Sequence, residues 1–289
     1  FPWSTDVSRS WGGLQPQVTI MLNSGLSGLG YMSHDVGGFA VDPAAPYDPE
    51  LYVRWLQLGT FSPVLRTHAQ DFAEPYLYPD QEDILKSFIR KRYSWLPYNY
   101  TLAYDNASQG LPLVRPLNFY AHSTGADVDD VADQYLWGRD VMIAPVLEKG
   151  ATARRVVIPD DGSRWIDYND PSKIFAPGSV IENYEASLSV LPMFVREGAF
   201  IPEAVQTMGS TADYDPSKLT VNYYPVEGAT SAYTLFDDDR ILPHIDPSCM
   251  QDTVNADHKD QANGKAAKDH EIFRHGMQHG RVPVFHKEG

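Results

Sequence analysis

Short apolar segments alternate with segments of helical periodicity through residues 1–110, and this alternation constrains the fold more than any other feature of the chain. The predicted strands cover residues 29–33 and 61–65, and the predicted helices cover residues 14–26 or begin at Asp48 and Asp80, the last with a break at Pro97. Repeated strand, loop and helix is typical of a parallel sheet with helical crossovers. Since a complete (β/α)8 barrel needs roughly 250 residues, we expect only its last three units here.

The pattern changes near Gly110, where helical periodicity weakens and turn residues interrupt short apolar segments. This pattern predicts a β-sandwich or jelly-roll-like domain over residues 111–202, so the fold class is α/β plus all-β. Residues 219–236 alternate apolar and polar side chains, which predicts the start of a second small β domain over residues 203–239. The predicted strands of the sandwich are residues 113–119, 141–147, 154–158, 165–168 and 192–195.

Residues 240–289 form an atypical tail that holds most of the histidines and few large apolar residues. His275 and His279 are spaced to lie on one helical face, as in a metal-binding pair. No third ligand is identifiable, so a solvated or disordered tail is the favoured interpretation.

The formal net charge of -15 argues against a nucleic-acid partner, because such proteins normally carry a basic patch. Cys249 is the only cysteine, which excludes an intrachain disulfide and leaves periplasmic, extracellular and cytoplasmic locations open. The sequence has no apolar run of about 18 residues, so we expect no ordinary membrane-spanning helix. The oligomeric state is not determined by these features.

Polar motifs stand where the predicted barrel strands end. WSTD ends at Asp6, HDVGGF contains Asp35, and RTH ends at His68. The loops after barrel strands converge over the barrel axis, so we expect these groups at one rim. Carboxylates and imidazoles can bind the hydroxyls of a sugar, and the aromatic rings of Trp3 and Phe39 can cover its C–H faces. The constellation therefore favours a saccharide subsite.

These motifs resemble those of glycoside hydrolase family 31, which includes α-glucosidases, α-xylosidases and α-galactosidases. WSTDVSRSW is similar to the family's Trp-Ser/Thr-Gly-Asp segment, SHDVGGF to its Asp-Ile-Gly-Gly-Phe motif, and LRTH to its Arg-Asn-His motif. PLVRPL, DQYLWGRDVMIAPVL and WIDY resemble the start of the family's C-terminal β domain. The resemblance covers about residues 1–202 in the same order.

The resemblance implies retaining hydrolysis of an α-linked oligosaccharide or glycoside, without a metal or cofactor. It implies that Asp6 is the general acid/base, that Asp35 and His68 hydrogen-bond the sugar, and that Trp3 and Phe39 line the subsite. Arg66 is implied to be a scaffold or subsite residue. The nucleophile comes from an earlier barrel strand in the family, so we do not expect it in this chain.

A general acid needs a raised pKa, and Trp3 and Trp11 lie close enough in sequence to Asp6 to form an apolar wall. Thr5 departs from the family's glycine, which would alter the backbone that directs Asp6. The chain begins on the first motif, without Met or a preceding strand. We therefore expect the C-terminal part of a larger protein, inactive by itself.

Structural roles compete with these assignments. Asp6 could cap the helix that starts near Ser10, Asp35 could bind the backbone of the turn at Gly37, and His68 could be an ordinary loop histidine. At the level of function, the alternatives are a non-catalytic carbohydrate-binding or scaffold protein and an α-transglycosylase. The sequence does not select one sugar, because one hydroxyl or hydroxymethyl group separates the candidates.

Overall fold

The computed structural model describes residues 1–43, 47–120, 126–226, 228–238 and 251–256. The chain divides into two compact units. The first consists of Phe1–Arg92 and Gly110–Val195, and the second of Tyr93–Gln109 and Arg196–Gly289.

Three neighbouring parallel segments form the sheet at the start of the first unit. Strand β1 (Ser33–Asp35) pairs in parallel with β2 (Val64–Arg66), and Ser33 also forms a parallel bridge to Trp3. Ser33 has partners on both sides, so β1 lies in the middle. The predicted strands are displaced toward the C-terminus in the structure, because residues 29–32 and 61–63 form turns or bends instead.

The helices of this portion begin and end at recognisable signals. Asp48 caps α3, where the Leu51 amide donates to its Oδ1 at 3.0 Å and Pro49 occupies the first position. The predicted helix over residues 14–26 is two helices, and the break predicted at Pro97 lies two residues earlier, at Trp95, so that Pro97 is the second residue of the helix that follows. Their bounds are α1 (Trp11–Leu14), α2 (Gln17–Leu26), α3 (Pro49–Thr60), α4 (Glu82–Ser94) and α5 (Leu96–Gln109).

The remainder of the first unit is an antiparallel β domain, as the sequence predicts. A six-stranded sheet has the order β3-β4-β5-β10-β7-β8, and β6 pairs with β9. Met142 and Phe194 of the first sheet share one apolar core with Val156 and Tyr184 of the second. Its elements are β3 (Val114–Arg115), α6 (Ala126–Asp129), β4 (Tyr135–Trp137), β5 (Val141–Ile143), β6 (Ala153–Val157), β7 (Trp165–Asp167), β8 (Ile174–Phe175), β9 (Val180–Glu185) and β10 (Met193–Arg196).

Two arginines, of which Arg54 is buried, join α3 to the segments around it. Arg54 donates to the backbone oxygens of Ala151, Ala186 and Val190 at 2.7 to 3.2 Å, which fixes the helix against the β domain. At the C-terminal end of α3, Arg92 donates to the carbonyl oxygens of Thr60, Ser62 and Pro63 at 2.6 to 3.1 Å. Carbonyls that follow a helix lack partners within it, so Arg92 stabilises the turn into β2.

In the second unit, α5 accompanies two antiparallel strand pairs. Phe236 stacks on Tyr104 of α5 with ring centroids 3.9 Å apart, and its amide donates to Thr101 Oγ1 at 3.1 Å. The last strand lies within the segment for which the sequence predicts no fold, whereas His275 and His279 lie outside the described residues. The pairs are β11 (Phe200–Ala204) with β12 (Leu219–Tyr223), and β13 (Ser231–Phe236) with β14 (Gln251–Ala256).

Candidate active site

Side chains of β1 alternate between two environments, which decides which of them can meet a ligand. His34 points toward α3, where Trp55 Nε1 donates to its Nδ1 at 3.0 Å and Ser62 Oγ lies 2.8 Å from its Nε2. Burial lowers the pKa of His34 to about 4. Because Nδ1 of His34 accepts the hydrogen bond from Trp55, the proton of the neutral imidazole is on Nε2. Since successive side chains of a strand alternate, Asp35 projects from the opposite face of β1, away from α3.

Asp35 and Arg66 face each other across the register of β1 and β2. Arg66 donates to Asp35 Oδ1 from Nε at 2.9 Å and from Nη2 at 2.6 Å. The side chain of Asp35 is 1% exposed, and its Oδ2 receives no hydrogen bond from the described residues. A buried carboxylate oxygen without a partner is costly, so Oδ2 calls for a donor that the described residues do not supply.

Arg66 also links Asp35 to the first motif. Its guanidinium carbon lies 5.7 Å from the ring centroid of Trp3, within the range of a cation–π contact. Trp3 is 45% exposed. The three side chains therefore form a chain of contacts that runs from an exposed aromatic ring through a cation to a buried carboxylate.

Phe39 and His68 come together although they follow different strands. Their ring centroids are 5.1 Å apart. The amide of Gln70 donates to the Phe39 carbonyl at 3.1 Å, which joins the two loops. His68 is exposed, so its ring nitrogens can reach a ligand.

Asp6 lies in a tight turn after the first strand. The Val7 amide donates to the Thr5 carbonyl at 2.7 Å, and Thr5 has a φ of 58°. This left-handed conformation favours glycine, and a β-branched residue there is an outlier. The departure at Thr5 thus places strain in the backbone directly before Asp6. Asp6 itself is exposed.

The structure tests the purely structural roles that the sequence also allows for Asp6 and Asp35. The cap of α1 is Ser10, whose Oγ accepts from the Gly13 amide at 3.0 Å, so Asp6 does not cap this helix. In the turn after β1, the Gly38 amide donates to the backbone oxygen of Asp35, and the side chain remains paired with Arg66. The predicted apolar wall does not enclose Asp6, which is exposed, and Trp11 Nε1 donates to Asp48 Oδ2 at 3.3 Å.

One residue of this site has no signal in the sequence analysis. Arg9 is only 7% exposed and donates to the Gly37 and Asp71 carbonyls at 2.9 and 2.7 Å. It stands within WSTDVSRSW as an ordinary basic residue, and only the presence of a cation between two serines could have drawn attention to it.

Within the described ranges, no group of three or more His, Cys, Asp or Glu side chains is arranged to hold a metal ion. None of the helices described is both long and apolar enough to cross a membrane.

Three parallel segments that carry or precede Asp6, Asp35 and His68 are the arrangement expected of a glycoside hydrolase barrel. The model of the glycosyl hydrolase family 31 TIM-barrel domain matches residues 1–102, and that of the family 31 C-terminal domain matches residues 110–201. The chain belongs to glycosyl hydrolase family 31, which confirms the resemblance read from its motifs.

Relatives with assigned activities support the same family. The chain is 33% identical to Alpha-glucosidase 2 of Bacillus thermoamyloliquefaciens over 82% of its length and 29% of the relative's. It is 33% identical to Alpha-xylosidase of Saccharolobus solfataricus, over 83% of this chain and 32% of the relative. The chain thus spans about a third or less of these relatives.

A solved structure agrees in fold. A Flavobacterium johnsoniae GH31 dextranase, complexed with isomaltotriose, superposes with a TM-score of 0.75 and 28% identity. The match covers 83% of this chain and 30% of the dextranase chain.

Proposed function

We propose that this chain supplies three loops of the active site of an α-glycosidase, and that the whole enzyme hydrolyses α-linked oligosaccharides or glycosides with retention. The observation that carries the proposal is the buried Oδ2 of Asp35, which lies without a hydrogen-bond partner among the described residues. A sugar hydroxyl would satisfy this oxygen, since hydroxyls donate to carboxylates.

The remaining groups take complementary roles in the same subsite. Trp3 and Phe39 offer ring faces to the sugar's C–H groups, and His68 offers a ring nitrogen to a hydroxyl. Arg66 holds Asp35 Oδ1 with two donors, which orients Oδ2 for the substrate. Membership of the family and the α-glucosidase and α-xylosidase relatives support an α-linked substrate.

Asp6 acts as general acid and then as general base. In the first step its carboxyl group protonates the glycosidic oxygen while a second carboxylate attacks the anomeric carbon. The leaving group departs as an alcohol, and a covalent glycosyl-enzyme forms. In the second step Asp6 takes a proton from water as the water oxygen attacks the anomeric carbon, which breaks the bond to the second carboxylate and releases the sugar. The second carboxylate belongs to the part of the barrel that precedes Phe1 in this proposal.

Leaving-group dependence tests the role of Asp6. In the whole protein that contains this chain, we expect Asp6→Asn to lower kcat/KM for an α-linked disaccharide by roughly 10²- to 10⁴-fold. The loss should be far smaller for an α-glycoside of 4-nitrophenol, because nitrophenolate departs without a proton. Asp83→Asn, in the first turn of α4, is the control and should leave both rates unchanged.

Equal losses of kcat/KM on both substrates would show that Asp6 is not the general acid. Product analysis by NMR tests retention: the first product should be the α-anomer, and a β-anomer would overturn the retaining mechanism. If added sugar acceptors intercept most of the glycosyl-enzyme in place of water, the enzyme is a transglycosylase instead.

A further inference from the structure

Arg9 connects the three loops that carry the proposed site. From Nε it donates to the Gly37 carbonyl at 2.9 Å, and from Nη2 to the Gly38 carbonyl at 3.4 Å, both after β1. The same Nη2 donates to the carbonyls of Asp71 and Phe72 at 2.7 and 3.3 Å, after β2. Arg9 itself lies in the loop after the first strand.

The backbone around Arg9 reinforces this connection. Its amide donates to the Ala40 carbonyl at 2.9 Å, and the Val7 carbonyl accepts from the amides of Phe39 and Ala40 at 2.8 and 3.0 Å. The loops approach so closely that a Cβ atom on Gly38 would lie 2.4 Å from Arg9 Cα. The first and second loops are therefore in direct backbone contact at Arg9.

Each loop carries one residue of the proposed subsite within a few positions of these contacts. Asp6 precedes Arg9 by three residues, Phe39 directly follows Gly38, and His68 precedes Asp71 by three residues. We infer that Arg9 is a positioning residue, which sets the mutual placement of the acid/base, the aromatic wall and the sugar-binding imidazole without contacting the substrate. This inference rests on the proposed function for its kinetic consequence, but its structural consequence stands independently.

A guanidinium group suits this position better than an ammonium group. Its donors are fixed in a plane and point in several directions at once, so one side chain can satisfy carbonyls on two loops. Lysine offers a compact charge on a flexible stem and cannot reproduce that fork. Arg9 is 7% exposed, and its removal would take a donor from the buried carbonyls of Gly37 and Gly38.

Arg92 provides a matched control. It too is an arginine that donates to several backbone carbonyls, those of Thr60, Ser62 and Pro63, but these precede β2 rather than follow it. We expect Arg9→Ala and Arg92→Ala both to lower the free energy of unfolding. Only Arg9→Ala should lower kcat of the whole protein, by about 10- to 100-fold on a disaccharide, when both variants are assayed fully folded.

Rescue distinguishes positioning from general damage. Added guanidinium ion at millimolar concentration should restore part of kcat to Arg9→Ala, whereas Arg9→Lys should stay well below the parent enzyme. Arg92→Ala should keep kcat within twofold and show no rescue. If Arg9→Ala keeps kcat within twofold of the parent enzyme, or loses no more than Arg92→Ala does, the positioning role is overturned.

Hydrogen exchange measured by mass spectrometry tests the inference without activity. In Arg9→Ala, peptides covering residues 36–41 and 67–73 should exchange at least tenfold faster, because the amides of Ala40 and Gln70 bond between loops. In Arg92→Ala these peptides should keep their rates. Unchanged exchange in Arg9→Ala would refute the connection between the loops, even if the whole protein proved not to be a glycosidase. Changed exchange with no activity in the parent protein would refute only the proposed function.

Discussion

Asp35 gives one of its two oxygens entirely to Arg66 and keeps the other free of hydrogen bonds from the described residues. Both Nε and Nη2 of Arg66 converge on Oδ1, at 2.9 and 2.6 Å, and the parallel register sets the two residues opposite each other. A fork that engaged both oxygens would leave each of them only one lone pair for a ligand. The arrangement therefore separates the structural half of the carboxylate from the half that can bind.

Replacing Arg66 tests how much its hydrogen bonds stabilise the buried carboxylate of Asp35. We expect Arg66→Met to lower the free energy of unfolding by about 2–3 kcal/mol, because hydrogen bonds to a buried carboxylate are lost while its charge remains. In Arg66→Met/Asp35→Leu much of that loss should be recovered. Urea unfolding of both single variants and the double variant measures the coupling. A coupling free energy below about 0.5 kcal/mol would show that Arg66 and Asp35 do not stabilise each other.

Thr5→Gly should stabilise the chain. Thr5 is exposed at a φ of 58°, where a non-glycine residue carries about 1–2 kcal/mol of strain and glycine about 0.5–1 kcal/mol of added entropy cost. We therefore expect a net gain of roughly 0.5–1 kcal/mol in the free energy of unfolding, measured in urea.

Phe72→Gly is the comparison, since Phe72 also has a positive φ, of 49°, but packs edge-on against Tyr47 at 5.7 Å. There the lost ring contact should outweigh the relieved strain, so stability should fall. A loss of stability in Thr5→Gly would show that the left-handed turn before Asp6 is not strained.

Gly38 and Gly28 form a matched pair for testing how closely the loops approach. Both have a φ of 85°, but a Cβ on Gly38 would lie 2.4 Å from Arg9 Cα, whereas nothing lies within 4 Å of one on Gly28. Gly28→Ala should cost about 1–2 kcal/mol from backbone strain alone. Gly38→Ala should cost at least 1–3 kcal/mol more, because backbone must move. Equal losses in thermal or urea unfolding would refute the close contact.

Acidification should destabilise the first unit through His34. Its pKa falls from an ordinary 6.5 to about 4 on burial, so between these values the unfolded chain binds more protons than the folded one. Stability contributed by the neutral ring is complete above pH 6.5 and is lost as pH falls toward 4, by roughly 3 kcal/mol in total. Unfolding of the parent chain and His34→Gln across this range measures the effect, and identical pH slopes would contradict it.

The sequence predicts the order of elements well and their bounds less well. Helix signals such as the Asp48–Pro49 pair are local, so α3 starts where the pattern indicates. Strand ends depend on partners: β1 begins at Ser33 only because Trp3 and Val64 pair with it. Strand β9 escaped prediction because VIENYE alternates too many polar residues for an apolar segment, and β4, β8 and β11 were also missed.

For the candidate site, too, the sequence predicts which residues belong to it but not the contacts that they make. Motifs at strand ends indicate which residues meet at the rim, because the barrel topology makes those ends converge. The pairing of Arg66 with a single oxygen of Asp35, and the reach of Arg9 across two loops, depend on rotamers and distances that no motif encodes. The roles of Asp6, Asp35, Phe39 and His68 in binding and catalysis remain predictions, as do the bounds of the four sequence-based domains.

The alternation along β1 has a further consequence for how this family member can change. His34 sits between Ser33 and Asp35, anchored beneath Trp55 on the helical side. Deleting or inserting one amino acid in that short stretch would exchange the imidazole and the carboxylate between the two faces, burying an acid under an indole. We therefore expect the connecting turns to tolerate insertions and deletions, whereas this strand should tolerate only substitutions.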